Sequence, residues 1–515
     1  MPRKPRRLAA IDVGTNSIHM MIVECRGRAC RVIDREKEMV QLGEGSLDGS
    51  PLTPEAIGRG VEALRKMADL AGKWNVDRLE AVATSAVREA PNRRAFVRQV
   101  EAASGIRLRV ISGPAEANLI FRAVRSAVDF QGGTALCIDI GGGSVEIIAG
   151  TEDEVFFTGS EPLGALRLTQ RFLEHDPPLS EEIRACRRHV RKRLRKLLPA
   201  ALAPGFDFCI GTSGTVMTLA ELASNDVPGE AVAAGLRWVE REPLEDLAAR
   251  LAEMSVRERA EGFGLDPKRA GTIVAGAVVL TEFLRAARVR RLRACSAALR
   301  EGMIERLLEQ EHPAPARSDG GVRRRSIVDL AERSGVDRTH AAHVSRLALR
   351  IFDETRELHG LKAGDREILE YAALLHEIGL HVAFQGYHKH TYYLIRHAGL
   401  RGFTDDQVAL IANVARYHRK ATPGEKHESF RELAPRQRKT VERASAILRL
   451  ADALDRGRKQ AVRDVGVESD GERVLFRARP RADSSVEIAA AEKPARYFAR
   501  VFERATEVTL DRERS

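Results

Sequence analysis

Ile11-Asp12-Val13-Gly14-Thr15-Asn16-Ser17-Ile18 returns, 127 positions later, as Ile138-Asp139-Ile140-Gly141-Gly142-Gly143-Ser144-Val145. In both octamers an Asp ends an apolar run, small residues make a turn, and a second apolar run leaves it. One such octamer would carry little weight. Two, at corresponding places in successive segments of alternating strand and helix signals, predict a duplicated α/β fold with two facing loops.

Around the first octamer, LAAIDV and MMIVEC read as strands, PEAIGRGVEALRKMADLAG has helical periodicity, and LEAVATSAV returns to strand character. The second octamer opens a similar order over residues 131–311. A Pro/Gly/charge stretch, HPAPARSDGGVRRRS (312–326), reads as a linker. From Ser326 to about Gly457 the pattern is almost wholly helical. VGVESDGERVLFRAR then reads as a hairpin around Asp470-Gly471, followed by a helix and the strand EVTL. The expected divisions are an α/β lobe at 1–130, a second at 131–311, a helical domain at 323–460 and a small α/β appendage at 461–515.

Composition sets the outer bounds. The 515 residues are 43% hydrophobic and 30% charged, which suits a soluble globular chain of three or four domains. The 84 Lys and Arg against 73 Asp and Glu leave +11, an excess that favours a polyanionic partner. Aromatics at 5% and the lack of a recognition-helix motif argue against nucleic acid. No signal peptide or apolar run of about 18 residues is present, so export and membrane spans are not expected. The six cysteines form no CxxC pair and read as reduced core residues of a cytoplasmic protein.

The loops point to phosphate. Glycine lets backbone N–H groups approach an anion closely, and Ser or Thr adds hydroxyl donors. Gly14 to Ser17 and Gly141 to Ser144 can each cradle a phosphate, or serve only as hairpin turns. A third loop, Gly211-Thr212-Ser213-Gly214-Thr215, precedes a helical stretch and can present its N–H groups likewise. Asp12 and Asp139 at strand ends, with Glu146 close by, are hard carboxylates suited to Mg²⁺ or another divalent cation. Arg88, in Thr84–Arg88 at a strand end, offers a guanidinium for bidentate contact with phosphate. Glu116, near a helix start in ISGPAEANLIFRAV, reads locally as a carboxylate favoured by the helix dipole.

AIDVGTNS, ATSAVREAPN, ISGPAEA, IDIGGGSVEI, GTSGT and CSAALREGMI, in this order over residues 8–305, resemble the exopolyphosphatase/guanosine pentaphosphate phosphatase family. HGLKAGDREILEYAALLHEIGLHVAFQGYHKHTYYLI and AILRLADALDR look like the HD-type helical domain of its long members. The resemblance implies a pair of actin/hexokinase-like, ribonuclease H-like α/β lobes with a cleft between them, followed by an all-α HD-type domain and a small α/β appendage. It implies Glu116 as the catalytic base, and Asp139 and Glu146 as metal residues. Thr15, Asn16, Ser17, Arg88, Gly141, Gly142, Gly143, Ser144, Ser213, Gly214 and Thr215 fall at phosphate-binding positions. The implied substrate is inorganic polyphosphate or guanosine pentaphosphate, and the implied assembly a homodimer.

Three positions depart from the family pattern. Ala115 stands where many members have a second Glu, which by removing a like charge would leave Glu116 more acidic. Asn118 replaces an Arg, and Arg269-Ala270-Gly271 replaces an Arg-Ala-Asp. HD-type phosphohydrolases hold metal through His, His-Asp and a distant Asp, and the matching positions here are His343, His376, Glu377 and Asp452. Residues 401–460 carry 14 Lys and Arg against 8 Asp and Glu. Such an excess is what a surface gripping polyphosphate needs, although a solvated helical face is the ordinary reading of a charge run. An ATP-dependent kinase of the same superfold, or a non-catalytic sensor of polyphosphate or alarmone, are the competing readings.

Overall fold

A computed structural model of the chain describes residues 5–47, 49–224, 237–311 and 321–511. They fall into two compact units, one ending at Val322 and the other beginning at Arg323.

The first unit holds two sheets of matching topology. Strands β1 (Arg6–Val13), β2 (Ile18–Arg26), β3 (Ala29–Glu38), β4 (Arg78–Ala83) and β5 (Leu108–Val110) form a sheet ordered β3-β2-β1-β4-β5. Its first three strands are an antiparallel meander, and β4 and β5 join parallel to β1. Strands β6 (Ala135–Ile140), β7 (Val145–Gly150), β8 (Val155–Glu161), β9 (Phe208–Thr212), β10 (Arg237–Glu240) and β11 (Arg291–Ala294) form a sheet ordered β10-β11-β9-β6-β7-β8. Without the edge strand β10, this is the first sheet's order again: β6, β7 and β8 meander and β9 runs parallel to β6. Both octamers sit at the same hairpin, β1–β2 and β6–β7. Gly14 N–H bonds to the Ser17 carbonyl in one, and Gly141 N–H to the Ser144 carbonyl in the other.

The two lobes share a core. Helices Gly113–Ala127 and Leu299–Glu311 pack between the sheets, with Leu8, Met21 and Val82 on one side and Cys137, Ile148 and Ile210 on the other. Their crossing is close because Gly302 has no side chain: an added Cβ would overlap the Leu119 carbonyl. Outer faces are covered separately, the first by helix Pro54–Lys73, capped by the Thr53 hydroxyl, and the second by helices including Ser180–Leu202 and Pro267–Ala286.

In the second unit, helices from Gly321–Arg333 to Pro435–Ala453 surround a core that includes Leu347, Leu369, Ile411 and Ile447. Strands β12 (Val462–Ser469), β13 (Arg473–Pro480) and β14 (Ala505–Leu510) form a three-stranded sheet, with the expected turn at Asp470-Gly471 and helix Ser485–Phe502 against it. Val465, Phe476 and Phe498 belong to the same core as the helices, so residues 461–511 build no core of their own.

The structure departs from the sequence reading in four places here. Part of the expected linker lies outside the described residues, but 321–326 is the start of a helix rather than irregular chain. Ser85–Glu89 is a short helix, not the end of a strand. Cys25 and Cys30 are not reduced: they pair directly across the β2–β3 hairpin and are disulfide-bonded. That removes part of the argument for a reducing compartment, while Cys137, Cys186, Cys209 and Cys295 are buried and free as expected. Finally, the arginine count of 401–460 overstates the free basic surface. Arg438 pairs with Glu425, Arg458 pairs with Glu377, and Arg443 and Arg449 donate to backbone carbonyls. Among the described residues, no helix is long and apolar enough to cross a membrane.

Candidate active site

The hairpin register sets the first carboxylate pair. Asp139 on β6 lies opposite Glu146 on β7, so both side chains leave the same face of the sheet. Glu146 is fully buried; its Oε1 accepts from Ser160 Oγ at 2.8 Å, and its Oε2 has no partner. Asp139 accepts from Thr212 Oγ1 at 2.5 Å, which ties the third loop to the second. At the equivalent place in the first hairpin, Asp12 lies opposite His19, and Asp12 Oδ1 is likewise buried without a partner. Glu116 enters from the first turn of helix Gly113–Ala127, whose start is fixed by the Ser112 cap.

These four carboxyls feel one another. Burial raises Glu116 to about 7, with Asp12 and Asp139 adding to the rise against the pull of Arg88. Burial raises Asp12 to about 7 and Asp139 to about 6. Glu146 is pushed well above the ordinary carboxylate range by burial and by Glu116 and Asp139. Burial is the largest influence on Glu116, and the second Glu that Ala115 replaces would have added a further like charge beside it. A cluster of buried carboxyls, with Asp12 Oδ1, Asn16 Oδ1 and Glu146 Oε2 lacking donors, is rich in unpartnered oxygen. This donor set fits Mg²⁺, which takes hard oxygen ligands.

The phosphate-type loops converge on it. A Cβ at Gly143 would meet Thr15 Oγ1 and Ser85 Oγ at 2.6 Å, and one at Gly142 would meet Thr15 and Asn16 at 3.3–3.4 Å. The first two loops therefore touch, and the glycines are what permits it. Gly141 stands at the base of its turn, and Ser144 helps hold Glu146. Ser17 Oγ lies 2.7 Å from His19 Nε2. Ser213, at φ +90°, starts helix Ser213–Ala223, so Ser213, Gly214 and Thr215 form its N-terminal turn. Arg269 donates to the Gly214 carbonyl at 2.6 Å and to Thr218, clasping that turn. A Cβ at Gly271 would meet nothing within 4 Å, so the missing Asp leaves open space. Asn118 is exposed and its amide donates to the Pro114 carbonyl.

Two arginines complete the centre. Arg88 donates to Glu116 Oε2 at 2.7 Å and to the Ile111 carbonyl at 3.2 Å, so it orients the candidate base. Arg167, unremarked in the sequence, is buried and ties the lobes together. It donates to the Gly143 carbonyl at 2.8 Å, to Glu89 at 2.7 Å, and to the Leu47 carbonyl. Just before it, Gly164 lies against the backbone of Gly142 and Gly143, where a Cβ would not fit. No local signal marks Arg167, since its partners lie 24 to 120 positions away. Arg300, Lys37 and Arg269 add positive charge near His19, which burial and Arg300 lower to about 3, leaving it neutral.

In the second unit, the sequence-matched set is only partly assembled. His376, Glu377 and Asp452 lie together, but His343 does not join them. Its Nε2 lies 2.9 Å from the Val462 carbonyl, and Arg346 donates to its Nδ1. His340, one turn earlier on the same helix, faces Asp452 and Glu377 instead.

Known proteins resemble both parts of the chain. Residues 21–311 match the Ppx/GppA phosphatase family and residues 322–474 match Ppx/GppA phosphatase, domain III. The Ppx/GppA family member of Aquifex aeolicus is 26% identical, with a TM-score of 0.53 over 61% of this chain and 100% of its own. An exopolyphosphatase from Cytophaga hutchinsonii is 29% identical, with a TM-score of 0.55 over 59% of this chain and 98% of its own. An exopolyphosphatase-like protein is 27% identical, with a TM-score of 0.56 over 59% and 99%. With the first family match alone spanning more than half of its residues, the chain belongs to the Ppx/GppA phosphatase family.

Proposed function

We propose that the chain is an exopolyphosphatase, releasing orthophosphate from the end of inorganic polyphosphate, with Glu116 as general base. The observation that carries this is Glu116 itself: a buried carboxyl, raised to about 7, oriented by Arg88 and set among phosphate-type loops. A base with a pKa near the working pH combines a useful ionised fraction with real proton affinity.

Water held by Glu116 attacks the terminal phosphorus and gives its proton to the carboxylate. The bond from phosphorus to the bridging oxygen breaks, and the electron pair stays on the shortened chain. The backbone of Gly141 to Ser144 and of Ser213 to Thr215, with the hydroxyls of Thr15 and Ser17, binds the phosphoryl oxygens. Their charge is stabilised in a site organised before substrate arrives. Asp139, Glu146 and Asp12 would hold Mg²⁺, which when bound neutralises charge on those oxygens. Arg88 fixes the direction of Glu116 and supplies the nearest guanidinium.

Glu116→Gln keeps the shape and removes the base. With Mg²⁺ and long-chain polyphosphate it should release phosphate at least 100-fold more slowly than the wild type. Release at near wild-type rate overturns the assignment. Running the same assay on guanosine pentaphosphate decides which of the family's two substrates this chain prefers.

A further inference from the structure

We propose that a cavity at the far end of the second sheet, lined by Trp238, Phe206 and Phe208 with Arg288, Arg290, Arg291 and Arg293, binds a nucleoside diphosphate or triphosphate. The site is separate from the cleft and stands independently of the reaction proposed there.

Its position follows from the strand directions. β6 and β9 run parallel, and their last residues carry Asp139 and Thr212 to the cleft. The cavity opens where β9 begins, at Phe208. Phe208 and Thr212 are thus separated by about 13 Å of extended strand. The cavity measures about 590 Å³, within the range of about 300–1,000 Å³ usual for small-molecule sites and far more than one phosphate fills.

The arginines are held by their faces and left free at their edges. Trp238 on β10 lies opposite Arg293 on β11, and Arg291, two positions earlier, shares its face of the sheet. Arg293 Cζ lies 4.4 Å from the Trp238 ring centre and 4.6 Å from that of Phe208, and Arg291 Cζ lies 4.4 Å from Trp238. A guanidinium stacked in this way still presents its N–H edge to an acceptor. The fold supplies none. Among the described residues, the side chains of Arg288, Arg290, Arg291 and Arg293 make no hydrogen bond or ion pair, and Arg293 Nε is buried without a partner. That is ordinary for an exposed arginine but not for a buried N–H. Asp207, the one carboxylate in the lining, accepts from the Thr134 N–H at 2.8 Å, and Asp129 acts on Arg293 only through space.

The first sheet provides a control. A cavity at the corresponding end, where β4 begins, is also rich in arginine. There Arg78 donates to Gln310 at 2.6 Å, and Arg109 and Arg306 both pair with Glu80. Arginine at a sheet end is therefore satisfied from within the fold in one lobe and left unsatisfied in the other. The unsatisfied set suits phosphoryl oxygens, which guanidiniums grip in bidentate fashion, and four arginines suit more than one phosphate. Phe206 is partly exposed and, among the described residues, its ring contacts no other ring or cation, so it offers a face to a planar base. Cations and a free aromatic face in one cavity select a nucleotide over orthophosphate or a bare phosphate chain.

The chain has two tryptophans, Trp74 and Trp238, so full-length Trp74→Phe protein reports on the cavity alone. Its fluorescence is followed, without divalent cations, during titration with ADP, GDP, pyrophosphate and adenosine. A saturable change is expected with ADP or GDP, at least tenfold tighter than with pyrophosphate or adenosine. It should weaken at least tenfold in Arg291→Gln and in Arg293→Gln, and stay unchanged in the cleft variant Arg88→Met. Circular dichroism verifies folding, and the exposed Arg291 keeps the test decisive if Arg293→Gln does not fold. No Trp238 response to either nucleotide, equal affinity in folded Arg291→Gln, or pyrophosphate binding as tightly as ADP overturns the proposal. Phosphate release does not enter this test, so its outcome is separate from that of the Glu116 assignment.

Discussion

Replacing Arg88 by Met removes the cation whose Nη1 lies 2.7 Å from Glu116 Oε2. An opposite charge within about 4–6 Å typically lowers a carboxyl pKa by roughly 1–3 units. Glu116 stands at about 7 despite that pull. Without it, the acid limb of kcat/KM against pH should move upward by about one to three pH units. Arg88's side chain is 20% exposed, so solvent screening favours the lower end. At pH 7, where the wild-type base is about half ionised, the ionised fraction falls roughly 5-fold for one unit and 500-fold for three. The loss from this cause reverses as the pH is raised, whereas the loss of a phosphate contact lowers the plateau and does not reverse. Arg88→Lys keeps a charge and should leave the limb near its wild-type position. The assay is phosphate release at fixed free Mg²⁺ from pH 5.5 to 9.5. An Arg88→Met limb that coincides with the wild type refutes the reasoning.

Arg167→Met leaves the Leu47 carbonyl without this donor and takes one donor each from the Gly143 carbonyl, which keeps the Gly164 N–H, and from the partly exposed Glu89, which keeps the Ser85 hydroxyl, so the cost should be about 1–3 kcal/mol. Urea unfolding checks this, and an unchanged midpoint contradicts it. Asp12 and Asp139 have folded pKa values of about 7 and about 6, above their ordinary values, so their contribution to stability falls as pH rises from about 4 to 7. Mg²⁺ should therefore raise the Tm more at pH 8 than at pH 5.5, and Asp139→Asn should reduce that difference; equal Mg²⁺ effects at both pH values count against the cation site. Gly164→Ala, which forces a methyl into the backbone of Gly142 and Gly143, should lower kcat at least tenfold while far-ultraviolet circular dichroism stays near wild type. Full activity in that variant would show that the loop does not need its present position.

The two octamers were legible because a hairpin is local. Asp139 and Glu146 are seven positions apart, and the turn between them sets their pairing. Arg88 was singled out locally as a guanidinium for phosphate and Glu116 took its role from resemblance, and nothing in their spacing foretold their ion pair. Arg167 was invisible because each of its contacts is long-range. The exchange of His343 for His340 has a simple cause: both lie on helix Arg338–Glu354, one turn apart, and the choice between them is made by β12, whose Val462 carbonyl engages His343. Asp455, whose Oδ2 lies 2.9 Å from His340 Nδ1, sits inside the quoted AILRLADALDR, but its partner is 115 positions away and the motif does not name it. Cys25 and Cys30 could have been paired from the short hairpin around Gly27, since cross-strand register puts them opposite. The basic excess of residues 401–460 is only partly a surface property, because a count of charges does not distinguish exposed guanidiniums from those, such as Arg443 and Arg449, bonded to backbone carbonyls.

The central claim is that water, activated by Glu116, attacks the terminal phosphorus of a polyphosphate chain. Hydrolysis in ¹⁸O-labelled water, followed by mass spectrometry of the released orthophosphate at early times, tests it most directly. The account predicts one ¹⁸O in each released orthophosphate, none in the shortened chains, and loss of the signal in Glu116→Gln. Label in the chain ends, or phosphate passed to ADP in place of water, would contradict it.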